Sequence, residues 1–287
     1  MDYINNMQTP LDQYKTWLIA NSRSKNTVRC YMHYVKDFLL AISYSDQLVI
    51  DENLINNYFA KLKEKTTEQA TFNFHLSSVK NFLLFKNIDV RTPKRKLPTN
   101  KEVQFLSEQT FLETVVPFLE TNFSDSLRLL AAFYCLFYTG VRVNELISLR
   151  RGNINFDRNL LIANATKQNW ERPIAILDKL KKRLILYFQS EAEDINCFNL
   201  TNAHVDMVFA QLRVNFPELN IHPHKFRASF ACYCYSVLKL DSMEIQKLLG
   251  HQSILTTLRY LKPLITDQMV NKMLLREKEL IQNKKKG

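Results

Sequence analysis

Residues 248–263 read LLGHQSILTTLRYLKP, and the punctuation of this stretch organises the rest of the chain. Gly250 and His251 close one apolar-periodic helix, Ser253 is placed to cap the next, and Tyr260 follows His251 by nine residues. A glycine at a helix end supplies the left-handed backbone that other residues resist. The whole chain holds 4 glycines, so their use beside polar residues points to backbone geometry and not to flexible linkers. Taken alone, Tyr260 is one of 12 tyrosines, and core packing is the ordinary fate of such a residue.

Two further clusters lie upstream. YTGVRVNEL, residues 138–146, puts Gly140 after a strongly apolar helix and just before Arg142, with Glu145 one helical turn on. HPHKFRASF, residues 222–230, puts His224 and Arg227 three apart on one helix face, where an imidazole and a guanidinium can grip one phosphate. His222, separated by Pro223, reads as a loop residue. Each cluster also has an ordinary reading: a surface Arg–Glu pair in the first, a polar stripe on a basic helix in the second.

Outward from these motifs the chain reads as helices. Thr9 and Pro10 are predicted to cap and open the first, with Leu11, Tyr14, Trp17 and Leu18 on its apolar face and about eight residues ahead of it. Ser24 or Asn26 starts a second, and Asp51 and then Thr66 or Thr67 start two more, making a four-helix unit that ends near Lys86. RTPKRKLPTNK, residues 91–101, has two prolines and five basic residues, so it reads as a linker, solvated or laid along phosphates. The expected organisation is a helical N-terminal domain over 1–90, a basic linker over 91–104 and a larger α-rich domain over 105–287.

Past the linker, helical segments run to Tyr138. The period then changes to that of three short strands, at Ile154 to Phe156, Leu160 to Ala163 and Arg172 to Ile176, forming a small antiparallel sheet. Helices return at about Lys179 to Glu191, Asn202 to Phe216, His224 to Leu238, Met243 to Leu249 and Ile254 to Leu261, with a last one from Thr266 to Gln282. Met269, Val270, Met273, Leu274 and Leu275 give that last helix an apolar face, to be covered by its own domain or by a neighbouring protomer.

Composition sets the outer bounds. With 46% hydrophobic residues over 287 positions the chain has ample core material, and disorder is excluded as the default. A net charge of +11 biases the surface toward a polyanionic partner. The longest apolar run, residues 129–138, is half of what a bilayer requires, and no secretory leader is legible, so a cytoplasmic protein with no membrane partner is expected. Cys30, Cys135, Cys197, Cys232 and Cys234 sit in apolar stretches without ligand spacing, which reads as reduced core thiols and no metal site.

Taken in order, T-G-x-R-x-x-E-L, H-x-x-R and L-G-H with a tyrosine nine residues on resemble the tyrosine recombinase (phage integrase) family over about Leu127 to Pro263, and SRSKNTVRCYMHYVKDFL, residues 22–39, is similar to its helical core-binding domain. Departures are small: Ala228 stands where the family often has a second histidine, and Lys225 with Phe226 varies the middle of H-x-x-R. The resemblance implies a mainly α protein, a helical core-binding domain followed by a catalytic domain with a small sheet. It implies a site-specific recombinase that cuts and rejoins double-stranded DNA through a 3′-phosphotyrosine, with no cofactor. Tyr260 would be the nucleophile, Arg142 and Arg227 the phosphate-binding cations, His224 the base or hydrogen-bond partner, His251 a phosphate donor, Glu145 an orienting group, and Lys167 in the strand turn ATKQNWERPIAI the acid for the leaving 5′ oxygen. Lys94, Arg95 and Lys96 would meet the DNA backbone, and a tetramer on paired sites, joined through the C-terminal helix, is implied. The short N-terminal lead resembles Xer-like or integron-type members more than arm-binding phage integrases. Two rival readings are a type IB topoisomerase-like enzyme and a DNA-binding protein without catalysis.

Overall fold

The apolar phases of the sequence pair off into two separate cores. A computed structural model describes residues 2–66, 68–95, 103–165, 170–190 and 196–284, and the chain divides into two compact units, Met1–Lys101 and Glu102–Gly287.

The first unit is four helices: α1 (Asp2–Ala20), α2 (Lys25–Ala41), α3 (Glu52–Lys65) and α4 (Gln69–Phe85). Helical spacing puts Leu11, Tyr14 and Leu18 of α1, Val35, Phe38 and Leu39 of α2, Ile55 and Phe59 of α3, and Phe72, Leu76, Val79 and Leu83 of α4 into one core. Tyr14, fully buried, keeps its hydroxyl satisfied by Asn81 Oδ1 at 2.8 Å. Ser24 caps α2 and Asp51 caps α3 through their side-chain oxygens, as the sequence predicts.

Two helix starts differ from expectation. α1 does not open at Pro10 but runs through it from Asp2. Pro10 loses its own bond to the Asn6 carbonyl and its ring crowds that carbonyl, but its fixed φ is itself helical, and the helix runs on through the disturbance. Thr66 does not start α4; its N–H donates to the Leu62 carbonyl and closes α3, while α4 begins at Gln69 after Glu68. The first buried residue of α4 is Phe72, so its packing phase tolerates the later start. Thr67, the other expected start, lies outside the described residues.

The second unit is built on two helices that are buried along most of their length. α7 (Ser126–Thr139) is buried at every position from Leu129 on, and α11 (Pro223–Ser236) at every position from Lys225 to Cys232. They meet through aromatic rings: Phe226 packs edge-on against Phe133 and Phe137 at 5.5 and 6.3 Å, and Phe111 stacks on Phe137 at 4.4 Å. Rings of this size contribute about 1.5–3 kcal/mol each when withdrawn from water, which fixes these helices before any polar contact is considered. Phe111 belongs to a π-helical turn, Phe111–Val115, between α5 (Glu108–Thr110) and α6 (Val116–Asn122). Outside them lie α8 (Val143–Ile147), α9 (Asp178–Ser190), α10 (Asn202–Asn215), α12 (Ser242–Leu249) and α13 (Ile254–Lys284).

The sheet is antiparallel in the order β1 (Ile154–Asn155), β2 (Leu160–Ala165), β3 (Trp170–Ala175). The strands therefore start or stop up to two residues from the predicted positions. In β3 and just beyond, Arg172, Ile174 and Ile176 alternate inward, and Ala163 of β2 is the pair of Arg172. The fold class read from the sequence, mainly helical with a small antiparallel sheet, is the one observed.

The C-terminus departs from expectation more. Two helices broken near Pro263 are predicted, and one continuous α13 is found. Thr257 and Leu261 before the proline are fully buried, and Leu264 and Ile265 after it still pack on the core. Anchoring on both sides keeps the helix continuous despite the lost ladder bond and the crowding that a proline brings to the preceding turn. Beyond that point Met269, Val270, Met273, Leu274 and Leu275 are all exposed, so no described residue of this unit covers the apolar face.

Candidate active site

Two left-handed glycines set the site. Gly140, at φ +60°, ends α7, and Gly250, at φ +61°, ends α12. A Cβ on Gly140 would lie 2.5 Å from Phe230 Cδ1, and one on Gly250 3.1 Å from an Arg172 Nη1. Gly140 has no room for a side chain, a Cβ on Gly250 would press on the Arg172 guanidinium, and neither backbone suits one. Each glycine ends its helix in a tight left-handed turn just before a polar residue of the site, Arg142 or His251.

After Gly140 and the buried Val141, Arg142 is extended and caps α8, its side chain about half exposed. Glu145, on the first turn of α8, reaches back to accept the Arg142 backbone N–H at 2.8 Å and Arg142 Nη1 at 2.6 Å. Its second oxygen also accepts Arg172 Nη2 at 2.8 Å. Glu145 is 2% exposed; burial pushes its carboxyl pKa up, and Arg172 with the Arg142 bonds outweighs this, leaving it below the ordinary carboxylate value.

Arg227 comes from α11 and is 3% exposed. Its guanidinium donates to the carbonyl oxygens of Gly140 and Leu249, tying the ends of α7 and α12 together. Burial, then Arg142 and Arg172, push its pKa down to about 9, so it stays charged at neutral pH. Arg172 donates to the same Leu249 carbonyl. Three guanidinium groups thus face one carboxylate, leaving a fixed positive excess where an anion would be held.

His251 follows Gly250. Its backbone N–H donates to the Gln246 carbonyl at 3.1 Å, Gln246 Nε2 donates to the His251 carbonyl at 2.9 Å, and the His251 ring Nδ1 lies 2.9 Å from Thr257 Oγ1. Burial, then Arg227, Arg142 and Arg172, lower its pKa to about 3, which keeps the imidazole neutral at any physiological pH. The Tyr260 ring stands edge-on to the His251 ring at 5.6 Å. Tyr260 is half-buried against the core, and its backbone carbonyl faces Cys232 Sγ at 3.6 Å.

His224, on the first turn of α11, is exposed; desolvation by the surrounding protein, then His222, Arg227 and Arg142, lower its pKa. His222 is not a loop residue without structure: it caps α11, its Nδ1 accepting the Lys225 N–H at 2.9 Å. The structure therefore brings Arg142, Glu145, Arg227, His251 and Tyr260 together, with His224 sharing the electrostatic field of Arg142 and Arg227. Lys167 and Lys96 lie outside the described residues, and Lys94 and Arg95 are exposed at the end of the first unit. Among the described residues no three His, Cys, Asp or Glu side chains cluster as a metal site would require, and no helix is long and apolar enough to cross a membrane.

Two residues escape sequence reading. Arg172 had one legible signal, a charged residue at the inward phase of a strand whose next inward positions are Ile174 and Ile176. Thr257 had none, since a threonine six residues from a histidine carries no local meaning.

Comparisons with known proteins place the chain in a family. The profile of the phage integrase family matches residues 106–265, more than half of the chain, and that of the phage integrase N-terminal SAM-like domain matches residues 11–87. The tyrosine recombinase XerA of Saccharolobus solfataricus is 27% identical over 271 residues, covering 90% of this chain and 89% of the relative. Among solved structures, a lambda integrase dimer bound to a COC′ core site matches with a TM-score of 0.67 at 15% identity, over 88% of this chain and 94% of the other. The Tn1549 transposon integrase in complex with transposon right end DNA matches with a TM-score of 0.66 at 14% identity, over the same shares. The chain belongs to the phage integrase family, the tyrosine recombinases, enzymes that cut and rejoin DNA strands.

Proposed function

We propose that this recombinase cuts and rejoins DNA at specific sites with Tyr260 as its nucleophile. The observation that carries the reading is the focus of Arg142, Arg227 and His251 beside the Tyr260 ring, with one carboxylate among three guanidinium groups. The Tyr260 phenolic oxygen attacks a backbone phosphorus, the bond to the 5′ oxygen breaks, and a 3′-phosphotyrosine forms. Attack by a 5′-hydroxyl of the same or another strand reverses the step, so the phosphodiester energy is conserved. In the five-coordinate transition state charge grows on the non-bridging oxygens, where Arg142 and Arg227 donate and His251 adds a neutral N–H. His224 assists removal of the phenol proton, Lys167 protonates the leaving 5′ oxygen, and Glu145 orients the arginines.

The same reading gives the first unit, with Lys94, Arg95 and Lys96 behind it, a share of double-stranded DNA binding through backbone contacts. The exposed apolar face of α13 supports self-association as a tetramer on paired sites. Five free cysteines suit a reducing, cytoplasmic setting. Integration, excision and dimer resolution all use this chemistry.

The test is a nicked suicide duplex carrying the target site. The wild type is expected to form an SDS-resistant protein–DNA adduct, and Tyr260→Phe none; an undiminished adduct in Tyr260→Phe overturns the reading.

A further inference from the structure

We propose that Thr257 is a positioning residue of the site: its hydroxyl donates to Nδ1 of His251, which fixes the ring and leaves the Nε2 proton to donate to the DNA phosphate. The inference rests on the role given above to His251 and deepens it.

Thr257 sits on the first turns of α13 and is fully buried. A threonine inside a helix commonly turns its hydroxyl back to the carbonyl four residues earlier, as Thr139 does to Cys135 in α7. Thr257 does not. Among the described residues its hydroxyl has one hydrogen-bond partner, His251 Nδ1 at 2.9 Å. Two arrangements of one proton are open between a hydroxyl and a neutral imidazole. If Nδ1–H donated, the hydroxyl proton would be buried with no acceptor, and Nε2 would turn a lone pair toward the incoming phosphate oxygens. If the hydroxyl donates, its proton is used, only oxygen lone pairs go unfilled, and Nε2 carries its proton outward. Buried donors are left unpaired far less often than buried oxygens are left under-filled, so the second arrangement is the stable one.

The rest of the histidine is already held. Reciprocal bonds with Gln246 fix its backbone, and the Tyr260 ring borders one side of its imidazole. What those contacts do not decide is which nitrogen bears the proton and how the ring is turned about its own axis. The Thr257 contact decides both, in the manner of a partner that orients a reactive histidine through its other nitrogen.

The experiment compares Thr257→Val, which keeps the shape and loses the hydroxyl, with Thr257→Ser, which keeps the hydroxyl. Single-turnover cleavage of the suicide duplex, DNA binding, thermal midpoint and the 15N ring shifts of His251 are measured on each. Removing an oxyanion donor outright costs 10²–10³ in rate, and misplacing one is expected to cost about 10–100-fold. Thr257→Val should therefore cut that much more slowly with binding unchanged, and Thr257→Ser should return to within about threefold of wild type, on the same scale. The wild-type 15N spectrum should show a protonated Nε2 and a bare Nδ1, and Thr257→Val should lose that single pattern. Cleavage by Thr257→Val at the wild-type rate, or a wild-type spectrum with the proton on Nδ1, overturns the proposal. If Thr257→Val does not fold, the wild-type spectrum and the Thr257→Ser rate decide. A wild type that forms no adduct but shows the Nε2 proton would sink the proposed chemistry and leave the hydrogen bond standing.

Discussion

Replacing Glu145 by glutamine removes one negative charge and changes almost no volume, so its cost measures how far this carboxylate holds the arginines. In the wild type Glu145 accepts three hydrogen bonds, from the Arg142 backbone, Arg142 Nη1 and Arg172 Nη2. A glutamine keeps one acceptor oxygen, which can serve two of the three, but its amide N–H₂ then opposes a guanidinium donor. The bond to Arg142 counts for little because that side chain is 44% exposed, whereas Arg172 is 4% exposed and loses its counter-ion in place. Breaking one partner of a buried pair costs about 3–5 kcal/mol, and the retained neutral bonds bring this to about 3. At roughly 2–4 °C per kcal/mol for a unit of this size, the melting midpoint at pH 7 should fall by about 6–12 °C. The pH dependence has a definite sign. The folded-state pKa of Glu145 is depressed, so its stabilisation is complete above the unfolded carboxylate value and is lost as pH falls through the folded one. The gap between wild type and Glu145→Gln should be constant from about pH 5 upward and shrink below about pH 4.5. Thermal unfolding followed by circular dichroism across that range is the assay. A midpoint at pH 7 within about 2 °C of wild type would refute the argument that Glu145 is the counter-ion of this cluster.

Three other perturbations separate the parts of the account. Gly140→Ala should destabilise more than Gly250→Ala, since both lose a left-handed glycine, worth about 1–2 kcal/mol, but only the first drives a Cβ to 2.5 Å from a ring carbon; equal midpoints by denaturant titration would contradict this. Arg172→Lys keeps the charge and loses the fork, so it cannot hold Glu145 and the Leu249 carbonyl together; cleavage should slow about 10–100-fold with DNA affinity retained, and a wild-type rate in the single-turnover assay would deny Arg172 any part in the site. Ending the chain after Thr266 removes the exposed apolar face but none of the buried anchors, so the midpoint should move by less than about 2 °C, while assembly on paired sites, read by light scattering, should be lost; retained assembly would show that α13 is not the contact.

What the sequence disclosed follows from how local each signal is. Arg142 and Glu145, just after Gly140, sit one turn apart, as do His224 and Arg227, so spacing alone placed each pair on a common face. The α7 core was legible as an apolar run, whereas the burial of α11, whose start reads as a basic, polar-striped helix, shows only in the fold. Prolines misled twice, at Pro10 and Pro263: each disturbs one turn of the ladder without ending its helix, and at Pro263 buried Thr257 and Leu261 before it and packed Leu264 and Ile265 after it hold the helix together. Arg172 lies 27 residues from Glu145 and 77 from Leu249, and no window along the chain joins them. The shared Leu249 carbonyl, which binds β3, α11 and the turn before His251, exists only once the chain has folded.

The central claim is that one phenol among twelve becomes joined to DNA. Mass spectrometry of the trypsin-digested suicide adduct tests it directly. Cleavage after Arg259, with the Lys262–Pro263 bond resisting, isolates Tyr260 on the peptide 260–272, whereas Tyr233 and Tyr235 fall together on 228–239. Nucleotide mass on 260–272 is the predicted result; nucleotide mass on 228–239, with 260–272 unmodified, would contradict it.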